Sequence, residues 1–236
     1  MVSRLCGRLR QEGVVAGEHI AILMPNSLAA VCAIFAMGRL GTIAVPLNTR
    51  LTQGEIIWQM KRADCNRMLC SPTTEPVATE VAAATDLPLH VFPETPAEWE
   101  AWLAPLPMSP DATLSNQDLS SLQAIQFTSG TTGFPKGAMI TYANHLWGAI
   151  GSAFKLGVQA NDRWLVCMPL FHVGGMAILF RSCLYGTAIV LQRGFDEAAV
   201  LHSLAAEKIT LISLVPTMLK RLLDANLNVD CAPDLR

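Results

Sequence analysis

The sequence predicts an α/β fold of mainly parallel sheets flanked by helices, and three observations carry this reading. Short apolar runs of strand length alternate with longer stretches of helical period along most of the chain. Of the 236 residues, 51% are hydrophobic and only 15% charged, a balance that suits strands buried on both faces. Capping residues and glycines mark the borders between the runs.

The elements follow in order. Residues 3–11 place Leu5 and Leu9 four apart and stop at Gly13, as a short helix does. Residues 20–24 form a buried strand. Asn26 is the expected cap of a helix over 27–39, which Gly41 ends. Residues 43–45 are a strand running into Pro46. Thr52 and Glu55 have the spacing of a capping box for a helix reaching Ala63. Residues 67–70 are a further strand. Residues 71–120 differ: they hold eight prolines and eight acidic residues, with no Lys or Arg between Met68 and Pro135. We read them as a loop-rich connection with one helix at 97–103, kept by its negative charge away from any bound phosphate. Alternation then resumes. Strands are expected at 122–127 and 138–140, followed by a helix to about 156 capped by Thr141. A strand at 164–167, a helix at 174–184 and a strand at 188–191 come next. Asp196 caps a helix to 207, residues 209–213 are a strand, and Pro216 opens a helix to Asp224, where a first-turn proline is tolerated. Strand–helix–strand order implies right-handed crossovers. The expected division is a first lobe over 1–120, including the connection, and a second over 121–236.

Composition excludes several classes. A net charge of −2 gives no electrostatic footprint for nucleic acid. The seven cysteines lack Cys-x-x-Cys or metal spacing and read as small buried hydrophobes in a reducing compartment. The five histidines are scattered, so no metal site is expected within the chain. No run reads as membrane-spanning and no secretory leader opens the chain, so the expected location is the cytoplasm.

Residues 127–137 read Phe-Thr-Ser-Gly-Thr-Thr-Gly-Phe-Pro-Lys-Gly. Three glycines allow sharp turns and close approach to a ligand. Successive backbone N–H groups in such a turn form a concave anion site. Thr128, Ser129, Thr131 and Thr132 add hydroxyl donors, and Lys136 adds charge. An ordinary hairpin turn needs only one or two special residues. A Walker A loop requires its lysine to lead straight into a helix, whereas here Pro135 precedes Lys136 and a strand follows. The expected object is a strand–loop–strand phosphate clamp.

The second informative stretch, residues 162–175, reads Asp-Arg-Trp-Leu-Val-Cys-Met-Pro-Leu-Phe-His-Val-Gly-Gly. It sets His172 and two glycines, Gly174 and Gly175, at the carboxyl end of an apolar strand, where ligands gather in open α/β sheets. A histidine there can hydrogen-bond a carboxylate, and the glycines can leave room for an acyl group. Taken alone, a histidine so placed is also compatible with a structural role.

Residues 127–137 resemble, without a break, the signature loop of the adenylate-forming (AMP-binding) acyl-CoA synthetase family, and Pro-Leu-Phe-His-x-x-Gly resembles that family's acyl-pocket motif. The Lys136–His172 spacing is similar too. The resemblance implies the partial N-terminal domain of the adenylate-forming fold. It implies that Thr128, Ser129, Gly130, Thr131, Thr132, Gly133 and Lys136 hold the β- and γ-phosphates of ATP. It places His172 near the acyl carboxylate, and with it Gly174, Gly175, Pro216 and Thr217 along the substrate pocket. The run 162–175, with Leu179, Phe180, Tyr185, Gly186 and residues 213–219, is most similar to the 2-succinylbenzoate–CoA ligase branch. The implied reaction joins a carboxylic acid to CoA through an acyl-adenylate, at the expense of ATP-Mg2+. The magnesium ligand, the adenine and ribose contacts and a C-terminal domain with a catalytic lysine are expected outside residues 1–236. Homo-oligomerisation is left open. Two other readings also stay open at this point: another acyl- or aryl-CoA synthetase, and a non-catalytic nucleotide- or acyl-binding module.

Overall fold

The computed structural model describes residues 1–107, 118–128, 134–225 and 232–236. The chain divides into two compact units, residues 1–143 and 144–236.

The first unit is built on a six-stranded sheet of order β4-β3-β1-β2-β5-β6. Its strands are β1 (His19–Leu23), β2 (Ile43–Pro46), β3 (Cys65–Cys70), β4 (Leu89–Val91), β5 (Leu122–Thr128) and β6 (Lys136–Thr141). All neighbours are parallel except β5 and β6, which form an antiparallel hairpin at one edge. The helices are α1 (Val2–Gln11), α2 (Leu28–Leu40), α3 (Gln53–Arg62), α4 (Glu75–Thr85) and α5 (Pro96–Leu103). One core cluster joins Ala21, Leu23, Val45 and Met68 of the strands to Ile56, Met60 and Val81 of the helices. Burying the Val, Leu, Ile and Met side chains among these stabilises the fold by about 1.5–3 kcal/mol each.

Local chemistry sets the borders. Ser27, not Asn26 as expected, caps α2: its hydroxyl accepts from the Ala30 amide at 3.1 Å. Either residue type can cap; the one whose backbone is extended at the border does so, and Ser27 is, at φ −156°. Gly41 closes α2 in the left-handed region at φ +73°, where a side chain would be strained. The Thr52–Glu55 capping box of α3 is present in both directions.

Residues 71–107 are more regular than the sequence suggested. They contain α4 and β4 as well as the expected α5. Proline content concealed α4, yet Pro76 lies in its first turn, where no intrahelical N–H is needed. Within this segment β4 forms the sheet edge opposite β6, five strand spacings or ~24 Å across, whereas Asp118 directly precedes β5.

The second unit has a three-stranded parallel sheet of order β8-β7-β9, from β7 (Arg163–Val166), β8 (Ala188–Leu191) and β9 (Leu211–Ile212). Its helices are α6 (Tyr142–Leu156), which starts at the border between the units, α7 (Val173–Tyr185), α8 (Glu197–Ala206) and α9 (Pro216–Asp224). Leu165, Cys167, Val200, Leu204, Ile209 and Leu222 form its core. Asp196 caps α8 by accepting from the Ala199 amide at 2.9 Å, as expected. The division expected after residue 120 falls instead at 143/144, because β5 and β6 continue the first sheet through the β2–β5 pairing.

Of the cysteines among the described residues, five are buried, and Cys183 is exposed, against the general expectation of burial. Burial raises the Cys65 and Cys70 thiols to about 12, so neither is a nucleophile near neutrality. Among the described residues no helix is long and apolar enough to cross a membrane.

Candidate functional site

The β5–β6 hairpin delivers both ends of the glycine- and hydroxyl-rich loop. Phe127 faces Gly137 and Thr128 faces Lys136 across the antiparallel ladder. Cross-strand partners share a face, so Thr128 and Lys136 point to one side and Phe127 to the other. The Thr128 hydroxyl donates to the Lys136 carbonyl at 3.5 Å, and both residues are exposed. Thr128 and Lys136 are thus cross-strand neighbours at the loop's mouth. Ser129, Gly130, Thr131, Thr132 and Gly133 lie outside the described residues.

Gly137 is small for a packing reason. A Cβ there would lie 2.9 Å from Ile125 Cγ2 and touch the Phe127 ring at 3.6 Å. The missing side chain lets β6 lie flat on these residues. Behind the hairpin, Trp58 of α3 stacks on Phe134 with ring centroids 5.7 Å apart and meets Phe127 edge-on at 6.1 Å. Sequence reasoning missed Trp58. The available signal was a pair of aromatics flanking a polar loop, both in want of an apolar partner.

In the second unit, the remaining expected residues gather at one edge of the sheet. Strands β7 and β9 are parallel neighbours, so the turn 168–172 after β7 and the start of α9 after β9 both sit at carboxyl ends. His172 is the N-cap of α7 in extended conformation, φ −101° and ψ 145°. Its backbone N–H donates to the Pro169 carbonyl at 3.1 Å, and its carbonyl accepts from Gly175 and Met176. Its side chain makes no capping bond and leans on Phe171, ring centroids 4.5 Å apart. The side chain reaches solvent, yet the protein around the ring penalises the imidazolium and lowers its pKa. A neutral imidazole can donate one hydrogen bond and accept another.

Gly174 and Gly175 do different work. A Cβ on Gly174 would meet only the flexible end of Met168, at 2.8 Å. On Gly175 it would strike backbone: Pro169 O at 2.3 Å and Met168 O at 2.8 Å. Gly175 therefore seats the first turn of α7 on the 168–169 backbone, which explains its identity by packing. Pro216 and Thr217 lie exposed in the first turn of α9.

Arg181 lies nine residues beyond the His172 cap, or ~13 Å along α7. Its guanidinium sits 5.6 Å over the Trp164 ring. Nearby, His145 is buried and stacks on Phe180 at 3.8 Å. Burial, with a smaller contribution from Arg181, lowers its pKa to about 4. Among the described residues no group of three or more His, Cys, Asp or Glu side chains could hold a metal ion.

Known proteins resemble this chain in sequence and in fold. A 2-succinylbenzoate–CoA ligase of Bacillus cereus (strain Q1) is 37% identical over 226 residues, covering 94% of this chain and 43% of that enzyme. A structure of o-succinylbenzoate CoA synthetase (MenE) from Bacillus subtilis, in complex with the acyl-adenylate intermediate OSB-AMP, superposes with a TM-score of 0.82 at 31% identity. It covers 94% of this chain and 56% of that one. The same enzyme is also known in complex with ATP and magnesium ion, with a TM-score of 0.80 at 31% identity, covering 94% of this chain and 57% of that one. The N-terminal domain of FACL13 from Mycobacterium tuberculosis gives a TM-score of 0.85 at 26% identity, covering all of this chain and 59% of that one. The chain thus spans less than half the length of the curated relative and little more than half of these structures. The AMP-binding enzyme family matches residues 1–236 from end to end, and the chain belongs to that family.

Proposed function

We propose that residues 1–236 are the N-terminal part of an ATP-dependent carboxylate–CoA ligase that works through an acyl-adenylate, with 2-succinylbenzoate as the acid. The observation that carries the substrate is a difference in identity. Backbone similarity does not discriminate, since TM-scores are 0.82 for MenE and 0.85 for FACL13. Sequence favours the 2-succinylbenzoate enzymes: among the structures identity is 28–31% with MenE and 26% with FACL13, and a curated 2-succinylbenzoate–CoA ligase is 37% identical over 226 residues.

The chemistry assigned to this chain is positioning and charge stabilisation. Residues 128–133 supply N–H and hydroxyl donors to the β- and γ-phosphates, and Lys136 neutralises part of their charge. Phosphoryl chemistry asks little more of a protein. His172, neutral near pH 7, offers a hydrogen bond to the substrate carboxylate, while Gly174, Gly175, Pro216 and Thr217 border the acyl pocket. Magnesium, when bound, screens the triphosphate; its protein ligand, like the adenine and ribose contacts, is assigned to the part of the enzyme beyond these residues. CoA is the second substrate and the cytoplasm the proposed location.

The test is a side-by-side assay of the complete enzyme with 2-succinylbenzoate, benzoate and medium-chain fatty acids. A site built around a buried polar partner rejects an analogue lacking that group by several orders of magnitude. The highest kcat/KM is expected for 2-succinylbenzoate. A fatty acid in first place would overturn the substrate and leave acid–CoA ligation standing.

A further inference from the structure

Trp58 ties together two residues that flank the proposed phosphate loop. Phe127 immediately precedes Thr128, and Phe134 lies two residues before Lys136. Trp58 stacks on Phe134 at 5.7 Å with ring planes 25° apart, and meets Phe127 edge-on at 6.1 Å and 64°. On its other side the Phe127 ring lies where a Gly137 side chain would touch it. Trp58, Phe127 and Gly137 thus form a continuous pack on one face of the hairpin. Thr128 and Lys136 are on the opposite face, by the alternation of the two strands.

The platform beneath this pack is fixed. Helix α3 starts at the reciprocal Thr52–Glu55 cap. Ile56, Gln59 and Met60 bury the helix against the sheet, which leaves Trp58 off the buried face and turned to the hairpin. Phe134 is 68% exposed, so general burial does not hold it. Its stack on Trp58 is the ring contact that does.

We propose that Trp58 is a positioning residue for phosphate binding: by seating Phe127 and Phe134 it sets the cross-strand placement of Thr128 and Lys136. This rests on the phosphate-binding reading of the loop. Trp58 touches no reacting atom and acts through the two phenylalanines.

The experiment uses the complete enzyme and its two half-reactions, ATP–pyrophosphate exchange with the acid and thioester formation from supplied acyl-adenylate. Trp58→Ala and Phe134→Ala are each expected to slow exchange roughly two- to ten-fold, the worth of one aromatic pair. Thioester formation should stay at the wild-type rate. Trp58→Phe should restore most of the exchange. The double variant should be no slower than Trp58→Ala, which already removes the Phe134 stack together with the Phe127 contact. Equal loss in both half-reactions, additive slowing, or wild-type exchange in Trp58→Ala would each overturn the assignment. Trypsin cleavage after Lys136 in the 236-residue chain separates this from the parent reading. Faster cleavage in Trp58→Ala is expected whatever the loop binds, and an unchanged rate overturns the anchoring. A wild-type enzyme without exchange would instead remove the phosphate reading.

Discussion

Gly175 packs against the Pro169 carbonyl so closely that a Cβ would sit 2.3 Å from its oxygen. Neither group can rotate away, because Pro169 O also accepts the His172 N–H and so belongs to the turn that positions that histidine. Gly175→Ala is therefore expected to destabilise the second unit by ~1–3 kcal/mol through overpacking. Gly174→Ala should cost less, since its neighbour is the end of a flexible Met168 side chain. Chemical denaturation of the two variants checks the ranking.

Stability should fall on the acid side through His145. Its ring is buried against Phe180, and its pKa is lowered from 6.5 to about 4. The unfolded chain therefore takes up a proton near pH 6.5 that the folded chain refuses until about pH 4. Stability is full above the unfolded value and is lost as pH falls between the two, by on the order of 3 kcal/mol. His145→Phe, which keeps a ring in the stack, should flatten that slope in urea denaturation measured from pH 7 to 4.

A second acid-labile contribution comes from Asp162. Arg236 donates to both of its oxygens, at 2.9 and 2.6 Å, Thr210 donates at 2.8 Å and the Gln159 amide also at 2.8 Å. These bonds, led by Arg236, hold the carboxyl at about 2. Its contribution is present above the unfolded value near 4 and lost as pH falls toward 2, by roughly 2 kcal/mol. Asp162→Asn should destabilise the chain at pH 7 and remove this lower part of the acid profile.

Residues 1–236 expressed alone are expected to form no CoA thioester, because the adenine, ribose and magnesium contacts are assigned elsewhere. The β6 edge carries Met139 at 68% exposure, and a strand edge of this kind promotes association. Mass measurement in solution and a thioester assay check both points; turnover by this chain alone would contradict the first.

Much of this was legible in the sequence because it depends on local rules. The Thr52–Glu55 cap, the Asp196 cap, the Pro216 start and the Gly41 stop all act within one helical turn. What escaped depends on partners distant in sequence. The hairpin looked like the opening of a second lobe until the β2–β5 pairing joined it to the first sheet. Helix α4 hid among prolines that its first turn accommodates. For the candidate site, residue types nominated Lys136, His172 and the glycines as candidates. They could not say that Gly175 answers to the Pro169 backbone, or that Phe127 and Phe134 share Trp58.

The central claim is that the loop ending at Lys136 holds the leaving phosphates of ATP, and Lys136→Ala in the complete enzyme tests it most directly. Loss of one charge-assisted contact is worth ~1.5–3 kcal/mol, or roughly ten- to a hundred-fold in rate. The account predicts that adenylate formation slows by that factor while thioester formation from supplied acyl-adenylate is nearly unchanged, since no triphosphate is present in that step. Equal slowing of the two half-reactions would contradict it.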